Sequence, residues 1–451
     1  MKMNKKEVRP SVDVIELLKR RILKSAIEGE LVPQFDKEPE VEQIGETPKE
    51  APFAIPSKWK WVPLSEIAEI NPSISFDTKE IDISFVSMKA VSPGYSSRIE
   101  DVERISLSSV KQGYSKFANG DLLLAKITPC FQNRKSVIAR ELVNSLGCGS
   151  TEFHVLRVSS AVTAKFLLTF LKSEWFVSYG IEHFKGTAGQ QRLNATDLKK
   201  CPFPLPPLSE QKRIVEKLDS LFSRIEIIQK SMDEVSQLSK SLKKQLLQSS
   251  ISGKLVPQLD EEPEAKQIGQ APEEVPFEIP GKWKWGRLSD YGNIVGGGTP
   301  STSVSNYWDG EISWITPADL GKIKSPWIDR GAKSITKLGL ENSSAKKMPA
   351  GSIVYSSRAP IGRVAIAKNE LCTSQGCKSF VPDPNLVDSK YAYYVLKALT
   401  PEIIARASGT TFKEISGKQF GKTLIPVPPL REQQRIVAKL DKLMLEIQKL
   451  Q

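Results

Sequence analysis

A long stretch that follows Pro206-Pro207 places apolar residues at alternating intervals of three and four. This spacing, kept over roughly four to five heptads, is typical of a two-stranded coiled coil. Ser209 can cap the start of such a helix and Gly253 its end, so the pattern predicts a helix over 209–252, about 65 Å long at ~1.5 Å per residue. The predicted seam consists of Ile214, Leu218, Leu221, Ile225, Ile228, Met232, Val235, Ser239, Leu242 and Leu246.

Two blocks of the sequence occur twice. Residues 23–61 match residues 247–285 at 25 of 39 positions, and PLPPLSEQKRIVEKLDSL (204–221) recurs as PVPPLREQQRIVAKLDKL (426–443). An order of shared, variable, shared, variable and shared blocks predicts a duplicated frame that carries two different domains. The two intervening segments, which barely resemble each other, are called the variable segments and span 59–203 and 283–425.

The repeat requires a second long helix, and the two ends of the sequence supply its halves. Residues 430–451 correspond to the first half of the helix predicted over 209–252, and the segment around 11–28 corresponds to the second half. The sequence therefore predicts a circularly permuted internal repeat. Two long antiparallel helices form a coiled coil, a pseudo-twofold axis relates them, and one variable segment lies near each end.

Each variable segment mixes strands with short helices and has the length of one domain. FANGDLLLAKI (117–127) and MPAGSIVYSSR (348–358) both indicate a glycine turn before a strand that ends in polar or basic residues. We predict an α+β fold, in which two domains of mixed α/β structure are joined by the helix pair. The predicted divisions are 1–30 (helix completing the second rod), 31–58 (shared extended linker), 59–203 (first variable domain), 204–254 (central long helix), 255–282 (shared extended linker), 283–425 (second variable domain) and 426–451 (C-terminal helix).

The composition of the 451 residues, 39% hydrophobic and 26% charged, is that of a globular protein with more than one domain. No apolar run approaches the ~18 residues needed to span a bilayer, and the first residues lack the apolar stretch of a signal peptide, so we expect no membrane association. The five cysteines include no CxxC pair. This argues against a disulfide scaffold or a zinc ribbon and indicates a reducing cytoplasm.

The positive charge of the chain lies in the variable segments. Lys and Arg exceed Asp and Glu by 12 over the whole sequence. Segment 59–203 has 18 basic and 14 acidic residues, and segment 283–425 has 19 and 11, so the two segments account for the entire excess. A basic surplus of this kind predicts a polyanionic partner, bound by the parts that differ and not by the shared frame.

No motif in the sequence has the spacing of a catalytic site. Asn71-Pro72-Ser73-Ile74 departs at two positions from the Asn/Asp-Pro-Pro-aromatic turn of methyltransferases that act on amines, and GKQFGKT (417–423) has three residues between its glycines where a phosphate-binding loop has four. Neither His154 nor His183 has a cysteine cluster or a Glu-x-x-His pattern nearby. We therefore predict no catalytic residue, no cofactor and no metal site in this chain.

Polar and basic loops suited to nucleic acid are present in both variable segments. Arg reads guanine edges and Gln or Asn reads adenine edges, while Ser, Thr and Lys mostly contact phosphate. The four loops are 128–136, 187–194, 355–363 and 408–416. We predict double-stranded DNA as the partner, and the candidate contact residues are Lys126, Gln132, Asn133, Arg134, Lys135, Gln190, Gln191, Arg192, Ser356, Ser357, Arg358, Arg363, Thr410, Thr411 and Lys413.

The junctions PPLSEQ (206–211) and PPLREQ (428–433), each opening a long helix, resemble those of the specificity subunit of type I restriction–modification systems. The LVPQ and IPxKWKW strings, the stretch GTPSTSVSNYWDGEISWI (298–315) and the two dissimilar segments in a duplicated frame share the resemblance. It covers essentially the whole chain, and it is weak inside the variable segments.

The resemblance implies that each variable segment is a target-recognition domain that reads one half of a split DNA site. It implies that the helices hold these domains at a fixed distance and help dock two modification (methyltransferase) subunits, with restriction (translocase and nuclease) subunits added to the complex. Such proteins are not themselves enzymes. S-adenosylmethionine, ATP and Mg are then expected in the partner subunits and not in this chain.

Two other classes of protein fit the sequence less well. A sequence-specific DNA-binding regulator without enzymatic partners would show the same basic loops. A nuclease or methyltransferase that acts alone would need the motifs that the sequence lacks.

Overall fold

The chain forms two compact units, Met1–Ser231 (unit 1) and Met232–Gln451 (unit 2). Unit 1 contains variable domain 1, within 59–203, and unit 2 contains variable domain 2, within 283–425. Within the described ranges, no helix combines the length and the apolar character needed to cross a membrane. The computed structural model describes residues 12–48, 50–74, 80–110, 112–187, 189–358, 360–409 and 413–450.

Strands and helices alternate through unit 1, as predicted for a domain of mixed structure. The last part of its long helix α6 belongs to unit 2. The elements are α1 (Val12–Ile27), β1 (Lys60–Pro63), α2 (Leu64–Ile67), β2 (Ala68–Ile70), β3 (Asp82–Val86), β4 (Glu103–Ser106), β5 (Ser115–Ala118), β6 (Leu122–Ala125), β7 (Ser136–Ile138), β8 (Leu146–Gly149), β9 (Phe153–Val158), α3 (Ala164–Leu171), α4 (Glu174–Glu182), β10 (Phe184–Lys185), β11 (Arg192–Leu193), α5 (Ala195–Lys200), β12 (Pro202–Leu205) and α6 (Leu208–Ile251).

Unit 2 continues with the same mixture of elements. They are β13 (Lys284–Arg287), β14 (Gly292–Gly296), β15 (Trp308–Ile315), α7 (Pro317–Leu320), β16 (Trp327–Ile328), β17 (Lys333–Ile335), α8 (Lys337–Glu341), β18 (Ile353–Ser356), β19 (Val364–Ala367), β20 (Cys372–Thr373), β21 (Cys377–Pro382), α9 (Ser389–Ala405), α10 (Gly417–Gly421), β22 (Leu424–Val427) and α11 (Leu430–Lys449).

Helix α6 confirms the long helix predicted over 209–252. Its N-terminal part buries Ile214 and Leu218 in the core of unit 1, and Leu246, near its other end, packs against the core of unit 2. The apolar spacing found in the sequence therefore serves local packing at both ends of the helix. The pairing of α6 with a second long helix stays a prediction.

Glycine ends the helix at the same point in both copies of the repeat. Gly253 follows α6 with φ +71, and the backbone N–H of Lys254 donates to the carbonyl of Ser249 at 3.0 Å, which is a Schellman motif and confirms the predicted cap. Gly29 follows α1 with φ +77. A Cβ at Gly253 would lie 2.2 Å from the ring of Pro280, so the position excludes every side chain.

The main sheet of variable domain 1 has the strand order β2-β9-β6-β7, with every neighbouring pair antiparallel. Strand β6 is buried along its whole length, because α3 covers the sheet on one side and a second sheet lies on the other. That second sheet has the order β4-β3-β8-β5, with β3 and β8 parallel. An uninterrupted apolar run such as LLLA suits a strand that is buried on both faces.

Variable domain 2 repeats this arrangement with an unrelated sequence. Its main sheet has the order β14-β21-β18-β19-β16, in which β16 adds a parallel edge strand. A second sheet, β17-β15-β20, again contains a parallel pair, β15 with β20. The fold class predicted from the sequence, two repeated domains of mixed helix and strand content on a frame with a long helix, is confirmed.

Each variable domain is closed by a pair of antiparallel strands at its border with the shared frame. Lys60 of β1 lies opposite Leu205 of β12, and Lys284 of β13 lies opposite Val427 of β22. The chain therefore enters and leaves each domain at one place. The Pro-Pro pair that follows β12 or β22 lacks backbone N–H groups, which ends the strand and starts α6 or α11.

Candidate nucleic-acid interface

Two of the predicted loops of variable domain 1 lie side by side. The backbone N–H of Leu193 donates to the carbonyl of Lys126 at 3.0 Å, and that of Thr128 donates to the carbonyl of Gln191 at 3.0 Å. The turn after β6 then returns to the sheet, where Ala125 donates to the carbonyl of Lys135 at 2.9 Å. The candidate residues from 126–135 and 190–192 thus form one surface, although more than fifty residues separate them in the sequence. We call it loop surface 1.

Three amide side chains of loop surface 1 are exposed: Gln132, Asn133 and Gln190. Within the part of the chain that the structure describes, none of them makes a side-chain hydrogen bond. Exposed amides can donate and accept at the same time, which is what an adenine edge requires. Of the candidates in this domain, these three are the most accessible for contact with a base.

Arg192 is fastened to its own domain. Its guanidinium makes three hydrogen bonds, of 2.8 to 3.2 Å, to the Glu152 carboxylate. The hydrogen bonds from Arg192 lower the pKa of Glu152, so the carboxylate stays ionised and the pair is held. The side chain of Arg192 is still 41% exposed, so part of it remains accessible to an anion.

Arg134 and the buried Lys172 hold each other. Arg134 Nε donates to the carbonyl of Lys172 at 3.1 Å, and Lys172 Nζ donates to the carbonyl of Arg134 at 3.0 Å. Lys172 also donates to the carbonyls of Gly94 and Ser96, both at 2.8 Å, and burial lowers its pKa to about 7. The side chain of Arg134 is only 12% exposed and pairs with Glu174. We therefore assign Arg134 the role of shaping the loop.

Lys135 has a similar internal role, because its Nζ donates to the carbonyl of Met88 at 2.8 Å. Lys126 and Gln191 are half-buried, and their backbone groups join the two loops. The DNA contacts predicted for these residues stay predictions. Their geometry shows that backbone positions set the shape of loop surface 1.

A buried histidine supports loop surface 1 from behind. His154 Nε2 donates to the carbonyl of Leu193 at 2.8 Å, and its Nδ1 accepts from the side-chain amide of Asn71 at 3.3 Å. Burial lowers the pKa of His154 to about 4, so the ring is neutral at physiological pH and keeps this pattern. Sequence reasoning considered His154 only as a metal ligand and missed this structural role.

The equivalent loops of variable domain 2 meet in the same way. The backbone N–H of Ile415 donates to the carbonyl of Ser357 at 3.1 Å, as Leu193 does to Lys126 in the first domain. Arg358 lies opposite Glu414 in an isolated antiparallel bridge. The described residues 356–358, 360–363, 408–409 and 413–415 therefore form one surface, which we call loop surface 2. Thr410 and Thr411 lie outside the described residues, and Lys413 is exposed.

The two serines of loop surface 2 are completely buried. Ser356 Oγ donates to the carbonyl of Pro360 at 2.7 Å and accepts from the backbone N–H of Arg363 at 2.8 Å. Ser357 Oγ donates to the carbonyl of Gly376 at 3.1 Å. Buried hydroxyls with these partners do not face a ligand, so we assign Ser356 and Ser357 the role of shaping the turn.

The charged side chains of loop surface 2 surround one carboxylate. Arg358 Nη1 and Lys378 Nζ each lie 3.7 Å from an oxygen of Glu414. Arg363 is turned inward, where its Nη1 donates to the carbonyl of Pro317 at 2.7 Å. Neither Lys378 nor Glu414 was among the predicted residues. Glu414 lies within a loop singled out in the sequence, but Lys378 is on β21 and only the sheet register brings it here.

The described residues contain no group of three or more His, Cys, Asp or Glu side chains that could hold a metal ion. The described residues of the two loop surfaces offer charges and amides for binding. They do not bring together a nucleophile and a base, since His154 is buried and already has two partners.

A family model described as the type I restriction modification DNA specificity domain matches residues 56–237 and again residues 280–451. The EcoAI type I restriction enzyme specificity subunit of Escherichia coli is 30% identical over 522 residues, which cover 96% of this chain and 85% of that protein. The MjaIX specificity subunit of Methanocaldococcus jannaschii is 41% identical over 164 residues, which cover 36% of this chain and 38% of that protein.

Two solved structures share the fold. A chain from a study of complex assembly and conformational transition in a type I restriction–modification system has a TM-score of 0.67 and 24% identity, with 88% of this chain and 93% of that chain covered. The HsdS subunit of Thermoanaerobacter tengcongensis has a TM-score of 0.61 and 23% identity, with 89% and 93% covered. These likenesses cover both variable domains and the frame.

Proposed function

Because this chain belongs to the type I restriction–modification DNA specificity family, we propose that it is the DNA-recognition subunit of such a complex. Each variable domain reads one half of a two-part DNA site. Loop surface 1 serves one half and loop surface 2 serves the other.

One observation carries this proposal from the family to the residues. The two domains place corresponding loops after equivalent strands and join them by an equivalent backbone hydrogen bond, from Leu193 to Lys126 or from Ile415 to Ser357, yet they present different side chains there. Loop surface 1 presents amides and an Arg–Glu pair, while loop surface 2 presents a cluster of Arg, Lys and Glu. A constant backbone with variable side chains is what a reader of two different half-sites requires.

Chains of this family are specificity subunits and are not the catalytic components. We propose that two modification subunits bind the shared frame and methylate DNA, and that restriction subunits join to translocate and cut it. S-adenosylmethionine, ATP and Mg then act in those partners. We propose that the complex works in the cytoplasm, where it meets DNA, and that the long helices set the distance between the half-sites.

Single-molecule methylome sequencing of a host with and without this chain tests the proposal. We expect a two-part methylated motif with a spacer of fixed length, present only when the chain is expressed together with its modification subunit. Methylation that the chain provides without a partner would identify an enzyme instead. Specific DNA binding without any associated methylation would identify a regulator.

A further inference from the structure

The glutamine of the first Pro-Pro-Leu-x-Glu-Gln junction joins α6 to variable domain 1. Gln211 is completely buried. Its Nε2 donates to the carbonyl of Ala161 at 3.0 Å and to that of Pro206 at 2.9 Å, and its Oε1 accepts from the backbone N–H of Thr163 at 2.8 Å. Thr163 is the N-cap of α3, so this glutamine holds the start of the helix that covers the main sheet.

The glutamine of the second junction makes the same three bonds in variable domain 2. Gln433 is also completely buried. Its Nε2 donates to the carbonyls of Leu386 and Pro428 at 2.8 and 2.9 Å, and its Oε1 accepts from the backbone N–H of Asp388 at 2.8 Å. Asp388 is the N-cap of α9, which occupies the place of α3. We call each set of three bonds the glutamine clasp.

The clasp contacts the variable domain through backbone atoms alone. The segments that it holds, SSAVT (159–163) and DPNLVD (383–388), have different sequences. A backbone N–H and a carbonyl are available at almost any residue, so the clasp does not depend on which side chains the domain carries. Three hydrogen bonds from a buried side chain also leave its amide group little freedom to move.

The glutamate beside each glutamine faces the shared frame and uses side chains. Glu210 is buried and accepts from the indole of Trp59 at 2.9 Å, and also from the side chain of Gln34. Glu432, in the second junction, accepts from Gln258 at 3.4 Å. The Glu-Gln pair therefore connects the helix to two different parts of the chain. The glutamate holds the constant linker, and the glutamine holds the variable domain.

We infer that Gln211 and Gln433 are positioning residues that fix the orientation of each variable domain on its helix, whatever sequence the domain has. This inference rests on the proposed function, because orientation matters only if both domains read one duplex. Each domain then keeps its own half-site, and the clasp contributes to the accuracy of the distance between half-sites.

Gln433→Met tests the inference in the complete complex with its modification subunits. Methionine has a similar volume, but it removes all three hydrogen bonds. We expect methylome sequencing to show unchanged half-sites and a relaxed spacer. Selectivity for the native spacer over spacers one base pair longer or shorter should fall about fivefold or more, since one ordinary hydrogen bond corresponds to roughly that factor. Gln211→Met should do the same from the other domain.

A second pair of variants covers the case in which Gln433→Met fails to fold. Asp388 has φ −67, which suits proline. Asp388→Pro deletes the N–H that the clasp uses, and Asp388→Ala keeps it, while both lose the carboxylate that caps α9. Only the proline variant should relax the spacer.

A folded Gln433→Met complex with wild-type spacer selectivity would overturn the inference. Equal spacer selectivity in Asp388→Pro and Asp388→Ala would also overturn it. A change in the half-site sequences would also overturn it, because the clasp would then act inside the reading loops. If the wild-type complex showed no two-part site at all, the proposed function would fall and not the clasp alone.

Discussion

Variable domains 1 and 2 present opposite charges at the same backbone position. Arg192 in the first domain and Glu414 in the second both precede the residue whose N–H joins the two loops. Arg192 pairs with the single carboxylate of Glu152, whereas Glu414 lies between two cations, Arg358 and Lys378. The backbone geometry at this position is the same in both domains, but the side chain has the opposite charge. The side chains of a loop surface can therefore differ completely while the strands beneath it stay equivalent.

The difference also reaches the second layer of residues. His154 in β9 and Lys378 in β21 have corresponding places in the sheet, opposite Leu124 of β6 and Tyr355 of β18. The histidine is buried and supports Leu193, while the lysine is half-buried and faces Glu414. Loop surface 1 is thus supported by a neutral ring, and loop surface 2 by an ion pair.

Exchanging the whole of segment 59–203 for that of another family member should have the largest effect. We expect one half-site to be replaced completely and the other to remain, since each domain is closed by its own strand pair. Methylome sequencing of the host shows both halves at once. A simultaneous change in both halves would contradict the assignment of one half to each domain.

Removing the three exposed amides of loop surface 1 should come next. Gln132→Ala, Asn133→Ala and Gln190→Ala together should weaken binding to the half-site that loop surface 1 reads by about tenfold to a hundredfold. One good base contact gives roughly 1–3 kcal/mol of discrimination. Competition between duplexes altered in one half or the other measures this. Gln237→Ala, an exposed amide on α6, is the control. Equal losses for both half-sites would show that these amides do not read bases.

Acid should destabilise unit 1 through His154. Burial lowers its pKa to about 4, while an unfolded histidine titrates near 6.5, so between these values the unfolded chain binds a proton that the native chain does not. The free energy of unfolding therefore falls as the pH drops from 6.5 to 4, by about 3 kcal/mol in all. Denaturant unfolding at several pH values measures this free energy. Its dependence on pH should be lost in His154→Gln and kept in Lys378→Gln. The same slope in both variants would exclude His154 as its source.

The smallest effect should distinguish the two ion-pair patterns. Glu414→Gln frees two cations from their ion pairs, and Glu152→Gln frees one. For binding to an unrelated duplex, the slope of log K against log salt concentration should therefore become steeper by up to about two in the first variant and about one in the second. Glu341→Gln, a similar charge change on α8, should leave the slope unchanged. Equal slopes for all three variants would place the DNA phosphates elsewhere.

Much of the fold could be predicted from the sequence because its signals are local or repeated. Heptad spacing and a glycine cap indicated α6 within one residue at each end, and the echo between FANGDLLLAKI and MPAGSIVYSSR marked β6 and β18. The second sheet of each domain could not be found this way. Strands such as β8 and β20 pair in parallel with partners about sixty residues away, and no local pattern records that register.

The candidate site was predictable as a set of loops and not as a set of contacts. The spacing of polar residues located both loop surfaces, because charged and amide side chains after buried strands must lie near the surface. It could not show that Arg134 turns toward Lys172 or that Ser356 is buried under its own turn, since both depend on tertiary packing. The glutamine clasps were visible only as a repeated string, and their partners carry no sequence signal.

The closing strand pairs have a consequence at the level of the gene. Because β1 lies beside β12 and β13 beside β22, each domain is joined to the frame at two neighbouring points of the chain, whatever the length of the domain. The repeated stretches on either side of each domain are places where the two halves of the gene can recombine with each other. If recombination copied one domain into both positions, we expect the resulting chain to fold and to bind the same half-site twice. Selection from random duplexes would show this as a repeated motif, whereas a chain that failed to fold would mean that the two frames are not interchangeable.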